Sequence, residues 1–115
     1  VRQFRYPYAK EIYELPAGKL NEGESPEQTA IRELEEEGGV IAERVEKMFD
    51  VYPTPAYTNE VIRIYRAIKV KKSSQRLDDD EFLECCWFDR ETLKKMIKNG
   101  EINDAKTLIA LLAIL

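Results

Sequence analysis

The pattern of apolar and polar positions predicts strands first, then a helix, then strands and helices again. Five segments alternate as β-strands do: Val1–Phe4, Glu11–Leu15, Arg44–Val51, Glu60–Val70 and Phe82–Phe88. Three segments have helical spacing behind a capping residue: Pro26–Glu37, Arg90–Lys98 and Ala105–Leu115. A polar loop, Lys71–Asp80, separates the last two strands. This order predicts an α/β domain of the mixed α+β kind.

The first predicted helix has clear signals at both ends. Ser25 is an N-cap residue, Pro26 suits the first helical position, and Gln28 completes a capping box. Gly38-Gly39 is a C-terminal signal. The helix is therefore expected to run from Pro26 to about Glu37.

This helix carries two different faces. Its expected core face consists of Ala30, Ile31 and Leu34. A second face gathers three carboxylates at spacings i, i+3 and i+4: Glu33, Glu36 and Glu37. Most glutamate-rich helices simply present such a face to solvent. The alternative is a site for a hard cation, because clustered carboxylate oxygens are what Mg²⁺ or Mn²⁺ requires.

Composition narrows the classes of function. With 115 residues the chain allows one domain, and its formal net charge of −4 leaves no broad basic face for nucleic acid. The cysteines, Cys85 and Cys86, are adjacent, so a vicinal disulfide or metal site competes with two free thiols, which would indicate a reducing compartment. The most apolar run, Leu108–Leu115, is too short to span a bilayer. A cytoplasmic protein without membrane association is expected.

Residues 18–40 decide between the two interpretations of the acidic face. Gly18, Glu24, Arg32-Glu33-Leu34, Glu36-Glu37 and Gly39-Val40 stand at the spacing G-x5-E-x7-R-E-U-x-E-E-x-G-U, where U is aliphatic. Chance would produce this match in a chain of this length with an expectation on the order of 10⁻⁷. The segment resembles the signature of the Nudix hydrolase family.

The resemblance implies a fold, a reaction and roles for residues. The Nudix fold is an α/β/α sandwich with a mixed β-sheet and a characteristic loop and helix. Family members hydrolyse pyrophosphate bonds with Mg²⁺, or with Mn²⁺. By resemblance, the metal ligands are Glu33, Glu36, Glu37 and the backbone carbonyl of Ala17. The residues with a structural role are Gly18, Gly39, Glu24 and Arg32. At Gly18 the backbone is expected to turn tightly and to approach metal or phosphate. Glu24 and Arg32 are expected to pair and hold the loop against the helix.

Residues outside that signature resemble the ADP-ribose pyrophosphatase subgroup. The shared features are Gln3-Phe4-Arg5, Glu14-Leu15-Pro16-Ala17-Gly18, Pro55, the acidic loop Asp80–Glu84 and the ending Gly100–Thr107. Ala56 departs from the usual Gly after Pro55. The resemblance implies hydrolysis of ADP-ribose to AMP and ribose 5-phosphate, with GDP-mannose-type sugars or dinucleotides as alternative substrates. A non-catalytic ADP-ribose-binding module is a further alternative.

The subgroup also implies roles on which the residues themselves are less informative. Arg5 would clamp a phosphate oxygen of the nucleotide, although a strand arginine can equally be a surface residue. Glu81 would orient or deprotonate the attacking water, with Glu36 as the other candidate, although Glu81 can equally be a solvated loop acid. The subgroup has an N-terminal segment before Gln3 that helps form a homodimer. That segment is expected to be missing from this sequence, so adenine recognition is not assigned.

Overall fold

The computed structural model describes all of residues 1–115. Its elements in chain order are β1 Arg2–Arg5, a 3₁₀ turn Tyr6–Tyr8, β2 Lys10–Tyr13, α1 Pro26–Gly38, β3 Val40–Val51, β4 Ile62–Lys72, β5 Leu83–Glu84, α2 Arg90–Lys98 and α3 Ala105–Ile114. The mixed α+β class is confirmed. The chain divides into two compact units, one formed by Val1–Leu15 with Phe82–Leu115 and the other by Pro16–Glu81. None of the helices combines the length and the apolar character that crossing a membrane requires.

The first unit contains a small antiparallel sheet and the last two helices. Its strand order is β2-β1-β5, with Arg2 opposite both Tyr13 and Glu84. The core of this unit consists of Met96, Ile102 and Leu111. Tyr13 packs against this core and meets the ring of Phe88 edge to face, at a centroid distance of 5.6 Å.

Both helices of this unit begin where their capping residues predict. The side chain of Asp89 accepts a hydrogen bond from the backbone N–H of Thr92 at 2.7 Å. Asp104 does the same for Thr107 at 3.1 Å. Each cap satisfies a backbone donor that would otherwise have no partner at a helix start, which explains why these helix bounds follow from sequence.

The second unit consists of α1 and a long hairpin, β3 with β4. The predicted capping box is present, since Ser25 and Gln28 each bind the other's backbone N–H. Gly39 ends the helix in the left-handed conformation, at φ 67°. The expected core face is only half-buried, whereas Thr29 and Glu37 of the same helix are buried.

The strands differ more from expectation than the helices do. β3 begins at Val40, directly after Gly39, because Val40 to Ala42 pair with the end of β4, which itself extends through Lys72 into the predicted loop. β5 has two residues, since only Arg2 and Gln3 of β1 pair with it. All strand pairs are antiparallel and form two sheets, which differs from the expected mixed sheet.

Candidate active site

The acidic face of α1 places one carboxylate in the interior. Glu37 is 5% exposed and accepts a hydrogen bond from the backbone N–H of Ala17 at Oε2, at 3.1 Å. Desolvation raises the pKa of Glu37 to about 7; the Ala17 bond opposes the shift, and the charges of Glu33 and Glu81 add to it. A cation bound beside this buried carboxylate would favour its ionised form.

Arg32 organises the remaining carboxylates. Its guanidinium makes the expected two-pronged pair with Glu24, through Nε to Oε2 at 2.8 Å and through Nη2 to Oε1 at 3.0 Å. Nη1 also donates to Glu33 at 2.8 Å and to Glu36 at 3.1 Å. The hydrogen bond to Glu24 is the main reason that the pKa of Arg32 lies above its usual value. One arginine therefore offsets the repulsion among three carboxylates, a wider role than the predicted pairing with Glu24.

Glu24 joins the loop before α1 to the helix. Besides Arg32, it accepts hydrogen bonds from the hydroxyl of Thr29 at 2.6 Å and from the backbone N–H of Asn21 at 3.1 Å. These bonds, with that of Arg32 the strongest, lower the pKa of Glu24 to about 2. Glu24 is thus an ionised anchor of the loop at neutral pH.

Position 18 requires glycine because the side chain of Glu33 occupies the space beside it. Its φ is outside the left-handed region, so the tight turn expected there is not what requires glycine. A Cβ atom at this position would lie 2.0 Å from Oε1 and 2.2 Å from Cδ of Glu33. The missing side chain leaves the room in which the Glu33 carboxylate lies. Desolvation raises the pKa of Glu33, against the hydrogen bond from Arg32.

The segment after β4 is tied to the end of α1. The side-chain amide of Gln75 donates to the carbonyl of Glu37 at 2.9 Å, and the backbone N–H of Arg76 donates to that of Glu36 at 2.8 Å. These bonds satisfy carbonyls that a helix end leaves without partners. Farther along, Glu81 is close enough for its charge to raise the pKa of both Glu33 and Glu37. Its side chain also accepts from the backbone N–H of Asp78 at 2.9 Å.

The donor set fits a hard divalent cation. No three acidic or cysteine side chains converge in a geometry that would hold an ion. Arg32 donates to Glu33 and Glu36, and the Ala17 N–H donates to Glu37. The three glutamates of this face nevertheless supply the oxygen ligands that a hard cation prefers, and the missing side chain of Gly18 leaves room beside one of them, Glu33. Binding an ion would require one or more of these carboxylates to exchange a protein hydrogen bond for the metal.

Arg5 belongs to the other compact unit and is paired there. Its Nε and Nη2 donate to both oxygens of Glu14, at 2.6 and 2.9 Å. Glu14 is 7% exposed and also binds Lys106 at 2.8 Å. Desolvation alone would raise the pKa of Glu14, but the hydrogen bonds from Arg5 and Lys106 outweigh it and lower the value to about 2. Sequence reasoning missed Glu14 and Lys106 as site residues, although both lie in segments that carried the subgroup resemblance.

Comparison with known proteins agrees with this picture. An ADP-ribose pyrophosphatase of Bacillus subtilis is 41% identical over 113 residues, covering 96% of this chain and 61% of the relative. A methanol dehydrogenase activator of Bacillus methanolicus is 39% identical over 112 residues, covering 96% and 60%. A crystal structure titled ADP compounds hydrolase has the same fold, with a TM-score of 0.85 at 22% identity, over 96% of this chain and 60% of that one.

The chain thus spans about three fifths of the length of these relatives. The sequence profile of the NUDIX domain matches residues 1–111, which covers all but the last four residues of the two compact units. The chain belongs to the NUDIX domain family.

Proposed function

We propose that this protein hydrolyses the pyrophosphate bond of a nucleoside diphosphate derivative, with ADP-ribose as substrate and AMP and ribose 5-phosphate as products. The observation that carries the proposal is the group of carboxylates on α1, held by Arg32 and bordered by the space at Gly18. Every carboxylate of the family signature is retained, which favours an enzyme over a non-catalytic ADP-ribose-binding module.

Mg²⁺, or Mn²⁺ in its place, would be held by the carbonyl of Ala17 and the carboxylates of Glu33, Glu36 and Glu37. When bound, the metal would neutralise phosphate charge and make the attacking water more acidic. The chain's own residues keep this site in order. Arg32 keeps Glu33 and Glu36 from repelling each other, and the Ala17 N–H fixes the position of Glu37.

Glu81 is our first candidate for the group that orients or deprotonates the attacking water. Its electrostatic effect on Glu33 and Glu37 supports a location near the cation ligands. Glu36 is the second candidate, but its carboxylate already accepts a hydrogen bond from Arg32 at 3.1 Å. Attack at phosphorus would break the P–O bond of the anhydride and transfer the water proton to the base.

ADP-ribose is favoured because the B. subtilis relative that matches most of this chain bears the name ADP-ribose pyrophosphatase. Other nucleotide sugars, such as GDP-mannose, and dinucleotides are the alternative, since the same carboxylates would serve them. A panel of ADP-ribose, GDP-mannose and a dinucleotide, assayed for product nucleotide in Mg²⁺, tests the proposal. We expect the largest kcat/KM for ADP-ribose. Turnover of none of the panel would contradict the proposed activity, and preference for GDP-mannose would contradict the substrate.

We further propose a homodimeric, cytoplasmic protein whose two compact units form one NUDIX domain. The match of the family profile to residues 1–111 supports the single domain. Cys85 and Cys86, neither of which is in a disulfide, support a reducing compartment. The homodimer rests on the sequence resemblance alone. Light scattering on the purified protein would measure its mass and decide between monomer and dimer.

A further inference from the structure

An ion cluster around the buried Glu14 joins the strand that carries Arg5 to the last helix. Glu14 follows β2 directly and accepts from Arg5 and from Lys106, the second residue of α3. Lys106 also donates to Asp104 at 3.0 Å, and the same Asp104 oxygen caps α3 through Thr107. The cluster is stabilised because each buried charge has a partner of the opposite sign.

This cluster forms one wall of a cavity of about 510 Å³ within the first unit. Its polar lining comes from Arg5, Tyr8, Lys10, Glu14, Asn103 and Asp104. Both oxygens of Glu14 already accept hydrogen bonds, so this carboxylate is not available to a ligand. The Arg5 side chain is 46% exposed, and its Nε and Nη2 are held by Glu14. The cations that line the cavity are Arg5 and Lys10, while its two carboxylates, Glu14 and Asp104, both accept hydrogen bonds from Lys106. An anion in this cavity would therefore meet Arg5 as the cation with a defined orientation.

Lys106 sets the net charge of the cluster around the Arg5 guanidinium. The side chain of Lys106 is only 15% exposed, and its charge together with that of Arg5 balances Glu14 and Asp104. Without Lys106 the cluster would carry a net charge of −1, and Glu14 Oε1 would keep Arg5 as its one side-chain donor. An incoming phosphate would then meet an uncompensated carboxylate beside the guanidinium.

We infer that Lys106 is a positioning residue: through Glu14 it orients Arg5, and its charge balances the cluster, so that Arg5 can bind a phosphate group of the substrate entering this cavity. The inference rests on the proposed function for the identity of the substrate. The start of α3 thereby takes part in substrate binding, although Lys106 itself does not contact the substrate.

Kinetics of five variants test the inference. Lys106→Met should raise KM for ADP-ribose on the order of tenfold and leave kcat within about twofold, because a charge-assisted contact to the bound substrate is weakened. Lys106→Arg should restore most of the lost affinity. In the Arg5→Ala background, Lys106→Met should add no further rise in KM, since its effect passes through Arg5. Lys94→Met is the matched control, because it removes the same charge from an exposed pair with Glu91.

An activity-independent readout separates positioning from mere stability. In ¹⁵N NMR spectra, the Nε–H signal of Arg5 should be protected from exchange in the wild type and in Lys106→Arg, and lose this protection in Lys106→Met. Inorganic pyrophosphate should shift that signal in the wild type and not in Lys106→Met.

The possible failures are distinct. The inference would be overturned if Lys106→Met lowered Tm but left KM unchanged. It would also be overturned if the rises in KM from Arg5→Ala and Lys106→Met multiplied in the double variant, or if pyrophosphate did not shift the Arg5 signal of the wild type. A wild type that shifts the Arg5 signal with pyrophosphate but hydrolyses no substrate would overturn the proposed function instead.

Discussion

Replacing Gly18 with alanine tests whether the room beside Glu33 is needed for activity. The added Cβ would stand 2.0 Å from Glu33 Oε1, whereas ordinary van der Waals contact begins at 3.4 Å. The carboxylate would therefore have to move by more than about 1 Å, and displacement of a catalytic group by this distance costs on the order of 10²-fold in rate. We expect Gly18→Ala to lower kcat/KM for ADP-ribose by about that factor.

Stability should respond much less than activity. Gly18 has no left-handed φ to strain, and the atoms in the way belong to the end of a flexible side chain. The free energy of unfolding should thus stay within about 1 kcal/mol of the wild type, since alanine also restricts the unfolded chain. Urea unfolding and steady-state kinetics at saturating Mg²⁺ measure the two effects separately.

Gly23 offers a matched control in the same loop. It has φ 76°, and a Cβ there would meet nothing within 4 Å. Gly23→Ala should therefore cost about 1–2 kcal/mol of stability through backbone strain and leave kcat/KM unchanged. Wild-type kinetics in Gly18→Ala, or loss of its fold, would refute the argument that Gly18 makes room for Glu33.

Three further predictions follow from the site and the buried cluster. Glu81→Gln should lower kcat by roughly 10²–10⁴-fold with little change in KM. Asp78→Asn should lower kcat far less, because Glu81 binds the backbone N–H of Asp78 and not its side chain. Equal, small effects of the two substitutions would show that Glu81 is only a solvated loop residue. Arg32→Ala should lower both Tm and kcat, because Glu24 loses its two-pronged partner; an unchanged Tm in thermal unfolding would contradict this. Glu14 has a pKa of about 2 in the folded protein against an ordinary value of 4.5, so it should contribute up to about 3 kcal/mol of stability, which is present above pH 4.5 and lost as pH falls toward 2. Urea unfolding at pH 7 and pH 3 should therefore show a smaller loss of unfolding free energy for Glu14→Gln than for the wild type.

The helices follow from sequence because their signals are local. Ser25, Asp89 and Asp104 each cap the helix that begins at the next residue, and Gly39 ends α1 by taking a positive φ. Helical spacing likewise identified the acidic face of α1, and the resemblance of residues 18–40 to the Nudix signature implied the pairing of Arg32 with Glu24.

What sequence did not reveal depends on contacts between distant residues. Lys106 binds Glu14 across 92 positions in the chain, and no local pattern marks such a pair. Strand limits depend on the partner strand, which is why β5 shrinks to two residues and β3 begins at Val40. Glycine is required at position 18 because of Glu33 on the following helix, a contact that exists only in the folded chain.

The most direct test of metal-dependent hydrolysis by the α1 carboxylates is a Mg²⁺ titration of ADP-ribose turnover, with wild type and Glu37→Gln followed by AMP formation. Wild-type activity should saturate at about millimolar Mg²⁺ and disappear in EDTA. Glu37→Gln should keep the wild-type Tm and lose on the order of 10²-fold or more in kcat, because stabilisation of transition-state charge is lost. Full turnover in EDTA, or near-normal kcat for Glu37→Gln at saturating Mg²⁺, would contradict the assignment.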